Sequence, residues 1–591
     1  MTIRDCRVPS RCAEILDVRE FEVGMKWLAF CLVMPGLVMA VTPASAQATE
    51  TVAKHHMIAA ANPHAAQAGL EMLRAGGSAV DAAIATQLVL GLVEPESSGI
   101  GGGAFMLVYD PATGKTTSFD GREMAPASAT PTMFLDAAGQ PRPKSEAIPG
   151  GLSVGIPGVV KMLWLAHQKY GKLPWARLFQ PAIALSQDGF AVGPKLARTI
   201  RNFSRDADMP DLRKYFHHPD GSPLGEGEIL KNPQYAQTLR MIAADGPDAF
   251  YKGEVAQAIV DAVHDAPRNQ GGMTLADLAG YQAKERPTVC GDYRQYHLCS
   301  MGPPSSGGIA VLQMLGMLQR FKPQQLTPGT VSGAHLFAEA SRLAYADRAQ
   351  YLGDPAFVDV PVKGLIDKGY LASRAQLIDP ARDMGTAAAG DPPQKHAALS
   401  PQVSPVLHGT SHMTIVDDAG EVIAMTTSVE SGFGAEIMTR GFLLNNTLTD
   451  FSFQPVRDGK PVANAAAPGK LPLSSMSPTI VFDKDGRFLV SVGSPGGPAI
   501  IDYVSQTLVG LLDAGMSPKE AVAMPKEVNM NGATLLEHSP NSDALAAQLT
   551  AMGHTVRVPA VEGSGLHGIM RVKDGYIGAA DPRRDGIALG D

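Results

Sequence analysis

At Gly409-Thr410 a hydroxyl residue stands directly after a glycine and opens a run, Thr410 to Val416, in which polar and apolar residues alternate. A turn and a second strand-like run, EVIAMTTSVE, follow, so the threonine begins a hairpin. A threonine hydroxyl is a poor nucleophile and needs a base beside it. Cutting the chain at 409–410 would supply one. The freed α-amine titrates near ~7.7–8.0, close to working pH, whereas the uncut amide nitrogen cannot accept a proton. The same hydroxyl can attack the preceding carbonyl, which makes the cut autocatalytic. Gly409 suits that step, because glycine tolerates strained backbone and puts no side chain in the way.

Attack on a carbonyl creates an oxyanion that needs fixed N–H donors. Ser494-Pro495-Gly496-Gly497 lies between a strand pattern and a helix pattern that Pro498 can open. Gly496 and Gly497 are candidate donors at the positive end of a helix dipole. On spacing alone the segment reads equally as an ordinary strand-to-helix turn. Other chemistries find little support. Gly99, Gly101 and Gly102 follow a helix pattern and precede a strand, the reverse of a dinucleotide loop. There is neither a Walker motif nor an HExxH, and the 15 histidines are scattered. His55-His56 and His217-His218 read as surface pairs, so no metal and no cofactor is expected.

Cys290 and Cys299 are the two of five cysteines that lie outside the N-terminal 46 residues. If Arg294-Gln295 is a two-residue hairpin loop, the two face each other across a non-hydrogen-bonded pair ~4.5 Å apart, within disulfide range. Two free buried thiols are the alternative.

The elements that must position these residues follow in order. Residues 1–46 read as a leader and signal peptide, with Lys26, an apolar run from Trp27 to Val41 and the small residues Ala44-Ser45-Ala46. Translation is expected to start at Met25, since the residues before it carry five acids against four arginines. The mature chain is then periplasmic or secreted, with no membrane segment. Residues 47–409 form a large piece, largely helical from Lys161 to Asp383. Residues 386–409, rich in Ala, Pro, Ser and Gln, read as a flexible linker before the cut. Residues 410–591 form a small, strand-rich piece that carries the nucleophile. A net charge of −8 over 591 residues argues against a nucleic-acid binder.

Taken together, ESSGIGGGAFM, REMAP, PPSSGG, AYADR, YLGDP, TSHMTIVD, LLNN, PLSSMSPTIV, GSPGG and the final DPR occur in the order found in γ-glutamyltransferases, members of the N-terminal-nucleophile hydrolases. The chain resembles that family over nearly its whole mature length. The resemblance implies an α+β fold, a four-layer αββα sandwich built jointly by two subunits cut from one precursor. It implies Thr410 as nucleophile, Ser428 as the hydroxyl supporting it, and Gly496 and Gly497 as the oxyanion hole. Arg122, Ser474 and Ser475 would hold the α-carboxylate of a γ-glutamyl group, and Asp450 its α-ammonium. The implied reaction moves the γ-glutamyl group of glutathione and similar amides onto Thr410, then to water or to an amino acid or dipeptide acceptor. AYADR is read as a structural helix segment, and His412 as structural.

The chain departs from the family in two places. Glu430 stands where asparagine is usual, and Thr447 where Gln or Glu is usual. Either Glu430 and Asp450 together hold the ammonium, or the pocket takes another acyl group, as in a same-fold acylase acting on cephalosporin side chains. The segment between Asp450 and Ser474 is short and lacks a lid tyrosine, so an open cleft is expected.

Overall fold

The computed structural model describes residues 49–203, 209–394, 399–401, 409–559 and 563–591. The expected leader lies outside the described residues, as do 395–398 and 402–408 of the expected linker.

Two seven-stranded antiparallel sheets form the centre. Seven of their strands precede Gly409: β1 (Thr49–Ala53), β2 (Met57–Ala60), β3 (Gly103–Asp110), β4 (Lys115–Gly121), β5 (Lys284–Arg286), β6 (Val289–Tyr293) and β7 (Tyr296–Ser300). Seven follow it: β8 (Thr410–Val416), β9 (Val422–Ser428), β10 (Thr479–Phe482), β11 (Phe488–Gly493), β12 (His567–Val572), β13 (Gly575–Ala580) and β14 (Ile587–Gly590). One sheet runs β1-β13-β12-β11-β10-β7-β6 and the other β14-β2-β8-β9-β3-β4-β5. Strands from before and after the 409–410 bond therefore interleave. Ladders join β1 to β13, β7 to β10, β2 to β14 and β8, and β3 to β9. Cleavage at that bond leaves every one of these ladders intact.

Helices α1 (Pro63–Arg74) and α2 (Ala79–Val93) cover β2, β8 and β9. A capping box, Ser78 with Asp81, fixes the start of α2, and all of its residues are buried. That explains its apolar composition on every face. On the far side α3 (Gly307–Leu318) packs on β6 and β7, α4 (Val331–Tyr351) packs on α3, and α5 (Ile500–Leu512) packs beside β11. Between the sheets Met57, Leu107, Val422, Ile480, Phe482 and Ile569 form a separate apolar core. The order helix, sheet, sheet, helix is the expected αββα sandwich.

The β6–β7 hairpin turns at Arg294-Gln295, with Arg294 at φ 54°, a left-handed conformation suited to a two-residue loop. Tyr293 faces Tyr296, Cys290 faces Cys299 with Cα atoms 4.1 Å apart, and the two cysteines are joined as a disulfide. His56 departs from the surface-pair expectation. It is buried, and its Nε2 lies 3.1 Å from Asp591 Oδ2, because β2 and β14 bring the C-terminus against it. The described part of the linker also departs from expectation, since it is docked on α4. Gly390 N–H donates to Asp347 (2.8 Å), Arg374 donates to Ala388 O (2.9 Å), and Leu399 and Ser400 are buried.

Candidate active site

Antiparallel register places Thr410, the first residue of β8, opposite Ser428, the last of β9. Side chains alternate along β8. Ser411, Met413 and Ile415 point at the helical layer, where Ser411 donates to Glu94 (2.8 Å). Thr410, His412 and Thr414 point at the other sheet, where Thr414 donates to Ser491 of β11 (2.5 Å). His412 bonds Thr426 through Nδ1 (2.9 Å) and lies against Gly493, a packing role. The polar half of the sequence alternation is thus buried between two sheets.

The Thr410 and Ser428 hydroxyls are 3.0 Å apart. Ser428 also donates to Gly409 O (2.5 Å) and accepts from Glu430 N–H (2.8 Å). A hydroxyl has one proton to give. Since Ser428 gives its proton to Gly409 O, Thr410 must be the donor between the two. The hydroxyl at the start of β8 therefore aims its proton at Ser428, and Ser428 aims its own at the carbonyl of the 409–410 bond. Gly409 admits no side chain, because a Cβ there would lie 2.5 Å from Glu430 O and 2.6 Å from Ser431 O. Arg584, in the final DPRRDG, donates to Thr410 O (2.8 Å) and holds the residue from behind.

Gly102 lies so near Ser428 that a Cβ would approach its carbonyl oxygen to 2.1 Å, and Gly101 meets Leu443 O at 2.0 Å in the same way. The GIGGG loop is thus a close backbone contact with the strand carrying Ser428.

The two serines of PLSSMSP are fixed by PPSSGG at the start of α3. Ser306 donates to Ser474 O through N–H (2.8 Å) and Oγ (2.7 Å), and Ser305 Oγ donates to Met476 O (2.7 Å). A Cβ on Gly307 would sit 2.1 Å from Ser477 Oγ, which explains the glycine. Arg348, in the last turn of α4, donates to Ser475 Oγ (2.8 Å) and Ser306 Oγ (2.9 Å). Because Ser475 accepts there, its own proton is available to a ligand.

Beside the serines, Arg122 is buried and donates through Nη2 to Asp450 (2.5 Å), through Nη1 to Glu123 (3.3 Å) and through Nε to Pro472 O (3.1 Å). Thr447 donates to Glu123 (2.7 Å), which is the structural use of the residue that departs from the family. Glu430, at φ 84°, adds a third carboxylate. Burial pushes its carboxyl well above the usual range and the Asp450 charge adds to the rise, with Arg122 pulling the other way. The net effect favours the neutral form of the Glu430 carboxyl. Lys144 donates to Thr449 O, and burial lowers its ammonium to about 8 against the pull of Asp450 and Glu430.

β11 ends at Gly493, a short 3-10 turn spans Gly497–Ala499, and α5 begins at Ile500. Gly496 at φ 132° and Gly497 at φ 57° both use backbone that side-chain-bearing residues rarely adopt. A Cβ on Gly496 would also lie 2.6 Å from the Tyr503 ring. Tyr345 of α4 ties the turn down by donating to Pro498 O (2.5 Å).

One cavity is lined by Thr410, Ser428, Arg122, Glu430, Asp450, Ser474, Ser475 and Gly497. Gly496 adjoins it without lining it. The same wall holds two polar residues that the sequence reading did not place there. One is Asn464, which donates to Asp450 O (2.6 Å). The other is Arg348, whose signal was the AYADR block, set aside as structural. The cavity measures about 30 Å³, room for a few waters at most. The cavity is small where an open cleft is expected, and the uncut Gly409 carbonyl lies against Ser428 on its wall. Among the described residues two clusters have metal-ligand types, Cys290/His297/Cys299 and His335/Glu339/His554. The cysteines of the first are tied to each other, and Arg342 occupies the second, donating to Glu339 (3.0 Å). Neither lines the cavity.

The family model for Gamma-glutamyltranspeptidase matches residues 65–591. The chain is 40% identical over 550 residues to the glutathione hydrolase proenzyme of Bacillus subtilis (strain 168), covering 91% of this chain and 92% of that protein. It is 39% identical to the glutathione hydrolase proenzyme of Escherichia coli (strain K12), covering 90% and 91%. Among solved structures, cephalosporin acylase from Bacillus halodurans superposes with a TM-score of 0.81 at 28% identity, covering 93% of this chain and 98% of that one.

Proposed function

The chain belongs to the gamma-glutamyltranspeptidase family, and from that premise we propose that it is a self-processing γ-glutamyltransferase and glutathione hydrolase. One observation carries the reading. Thr410 and Ser428, with Ser428 bonded to the Gly409 carbonyl, line one small cavity with the Arg122–Asp450 ion pair.

Maturation begins when Thr410 Oγ1 attacks the Gly409 carbonyl carbon. Its proton passes to Ser428 as Ser428 releases its own to the developing oxyanion on Gly409 O. On collapse the C–N bond breaks and the proton on the former Gly409 carbonyl oxygen goes to the departing nitrogen, which frees the Thr410 amine and leaves an ester on Oγ1. Water then hydrolyses that ester to a Gly409 carboxylate and the Thr410 hydroxyl. The pieces 47–409 and 410–591 stay joined as a heterodimer through the interleaved ladders. Arg584 acts on the new terminus as well. A guanidinium beside an amine disfavours its ammonium form, which keeps the amine basic and uncharged at lower pH.

In the mature site the amine takes the Thr410 hydroxyl proton during attack on the γ-carbonyl. The Gly496–Gly497 amides at the start of α5 receive the oxyanion. Binding works by exchange. The substrate's zwitterionic head inserts into the Arg122–Asp450 pair, its carboxylate taking Arg122, Ser474 and Ser475, and its ammonium taking Asp450. Glu430 releases its proton to complete the ammonium site. The incoming carboxylate meets Arg122 and the incoming ammonium meets Asp450 and Glu430, so each charge the substrate brings finds an opposite one.

A second reading, an acylase for carboxylate-only acyl groups, is favoured by the raised Glu430 carboxyl. In its neutral form Glu430 tolerates a head without an ammonium. Release of 4-nitroaniline from γ-glutamyl and glutaryl anilides separates the two. The proposal expects γ-glutamyl cleavage, a fragment beginning at Thr410 by mass spectrometry, and neither in Thr410→Ala. Cleavage of the glutaryl compound alone supports the acylase. An active, unbroken chain overturns both.

The relatives' proenzyme names agree with a cut precursor. Among the described residues no helix is long and apolar enough to cross a membrane. We place the mature protein in the periplasm or outside the cell on the strength of residues 25–46.

A further inference from the structure

Four side chains with chemistry stand on one face of the β6–β7 hairpin. Cys290 lies opposite Cys299, and Asp292 opposite His297. Residues two apart on a strand share a face. His297 is bonded at both ring nitrogens. Its Nδ1 lies 2.9 Å from Asp292 Oδ1 and its Nε2 3.7 Å from Cys299 Sγ. A bridged sulfur carries no proton, so Nε2 is the donor at Cys299, and Thr288 Oγ1 is the donor at Cys290 Sγ (3.4 Å). Lys368 donates to the other Asp292 oxygen (3.0 Å). Carboxylate, imidazole and sulfur thus form a line that can hand a proton to a departing thiolate. The two sulfurs differ in access. Cys299 is 5% exposed and belongs to the core between the sheets. Cys290 is partly exposed and lines a groove of about 1040 Å³ along β6, the edge strand of its sheet. That is room for a small ligand. The lining sets Arg294, Arg320, Lys368 and Lys484 against Asp292 and Asp483, an excess of positive charge in a chain whose net charge is −8. Among the described residues this groove shares no lining with the Thr410 cavity.

We infer that the Cys290–Cys299 bridge is a thiol–disulfide exchange centre for small carboxylate-bearing thiols, with His297 as its proton donor. The attacking species in such exchange is a thiolate, and access decides which bridged sulfur it meets. Here that sulfur is Cys290. A bond forms between the entering sulfur and Cys290 Sγ, the Cys290–Cys299 bond breaks, and the leaving Cys299 thiolate takes the proton from His297 Nε2. A second thiolate then attacks the sulfur of the bound thiol. The small disulfide departs, and the Cys290 thiolate takes a second proton from His297, which offers a ring nitrogen within 4.8 Å of both sulfurs. His297 is 49% exposed, so solvent returns each proton to it, and these balance the two that the entering thiols gave up. Two thiols are oxidised to one disulfide while the protein bridge is reduced to two thiols. Glutathione, the donor of the proposed function, belongs to this class of thiol, but the inference takes nothing from the chemistry at Thr410.

The test uses the full-length protein and two probes that are not γ-glutamyl amides, 3-mercaptopropionate, which carries a carboxylate, and 2-mercaptoethanol, which does not. Bridge opening is followed by alkylating the free thiols and counting them by mass spectrometry. The unfolded protein gives the intrinsic reactivity of each probe. The bridge is expected to open in the folded wild-type protein, and to open about tenfold or more slowly in His297→Gln, the loss of a positioned proton donor. Asp292→Asn, which leaves the ring in place but loosens its orientation, should fall between the two. Both variants should keep the wild-type melting temperature, which a merely structural role for His297 or Asp292 would lower. The rate with 3-mercaptopropionate relative to 2-mercaptoethanol should be about twofold or more higher in the folded protein than in the unfolded one, the scale of exposed charge pairing. A bridge that opens only as the protein unfolds overturns the inference. So does a His297→Gln rate equal to that of the wild type, or a probe ratio that is the same in folded and unfolded protein. Each of these outcomes leaves the reading of Thr410 standing.

Discussion

The two cavities that meet at Arg348 and Pro498 are built on opposite electrostatic plans. Around Arg122 the site is closed, and its cation is matched by Asp450, Glu123 and a protonatable Glu430. Across the shared wall a groove of about 680 Å³ carries the buried Arg348 and the half-exposed Arg457 with no lining acid. A buried, balanced cluster punishes any ligand that does not reproduce its charges, because each unmatched charge keeps its full desolvation cost. A half-exposed arginine prefers an anion only mildly, since water and salt compete for it. The contrast sets a pocket that is strict about the acyl group beside a surface that holds anions loosely.

The sharpest way to break that contrast is Asp450→Asn. Removing one partner of a desolvated pair costs about 2–5 kcal/mol. We expect kcat/KM for γ-glutamyl anilides to fall roughly 100-fold or more, measured on protein first shown to be cleaved. Glutaryl anilide, which has no ammonium, should lose less than about fivefold by the same bookkeeping. Equal losses on both compounds would mean that Asp450 supports the site without reading the head group.

The strict pocket was more legible in the sequence than the groove beside it, for a physical reason. Thr410, Gly409, Ser428 and the Gly-Gly turn announce themselves through local rules: a glycine before a hydroxyl, a strand start, a strand-to-helix turn. The β8–β9 hairpin was legible too, because alternation and a turn specify it. What alternation did not disclose is that both faces of β8 are buried, with Thr410, His412 and Thr414 matched by hydroxyls and carbonyls of a second sheet. Arg122 and Asp450 lie 328 positions apart. Only the family resemblance brought them into one site, and nothing in the sequence showed them paired with each other. Arg348 was missed because AYADR reads as helix and is helix, and its reach into the cavity depends on where a 21-residue helix stops. The element order read around the GIGGG loop, a helix before and a strand after, is the order found, yet the loop's purpose, contact with Ser428 O and Leu443 O, needs coordinates.

A smaller effect probes the proton within the balanced cluster. Burial and Asp450 raise the Glu430 carboxyl, so the empty site holds that proton to higher pH than a free carboxyl does. An arriving ammonium binds best when both carboxylates are ionised. Below the raised pKa, binding must expel a proton, which weakens it. KM for γ-glutamyl donors should therefore fall as pH rises toward that pKa and then level off. Glu430→Gln removes the titrating group, so KM should become several-fold weaker at high pH and lose this slope, while the kcat profile, governed by the Thr410 amine, keeps its shape. Initial rates across roughly pH 6–9 decide it. A KM that changes equally with pH in both proteins would place the proton elsewhere.

The gentlest perturbation leaves the sequence untouched and asks whether the two cavities respond differently to salt. Screening lengths shrink from about 10 Å at 0.1 M to about 3 Å at 1 M, and they act on exposed charges far more than on buried ones. If Arg457, which is 45% exposed, reads a leaving-group carboxylate, the preference for a carboxylated leaving group is sensitive to salt. It should shrink by about twofold or more between these two salt concentrations. The preference for γ-glutamyl over glutaryl depends on Arg122, which is 1% exposed, and Asp450, which is 16% exposed. It should stay nearly constant, because no ion can enter between them. Sodium chloride titrations of both ratios on one protein preparation provide the check. If the two ratios decline together, the head pocket is as wet as the groove in the mature enzyme, and the strictness assigned to burial belongs to shape instead.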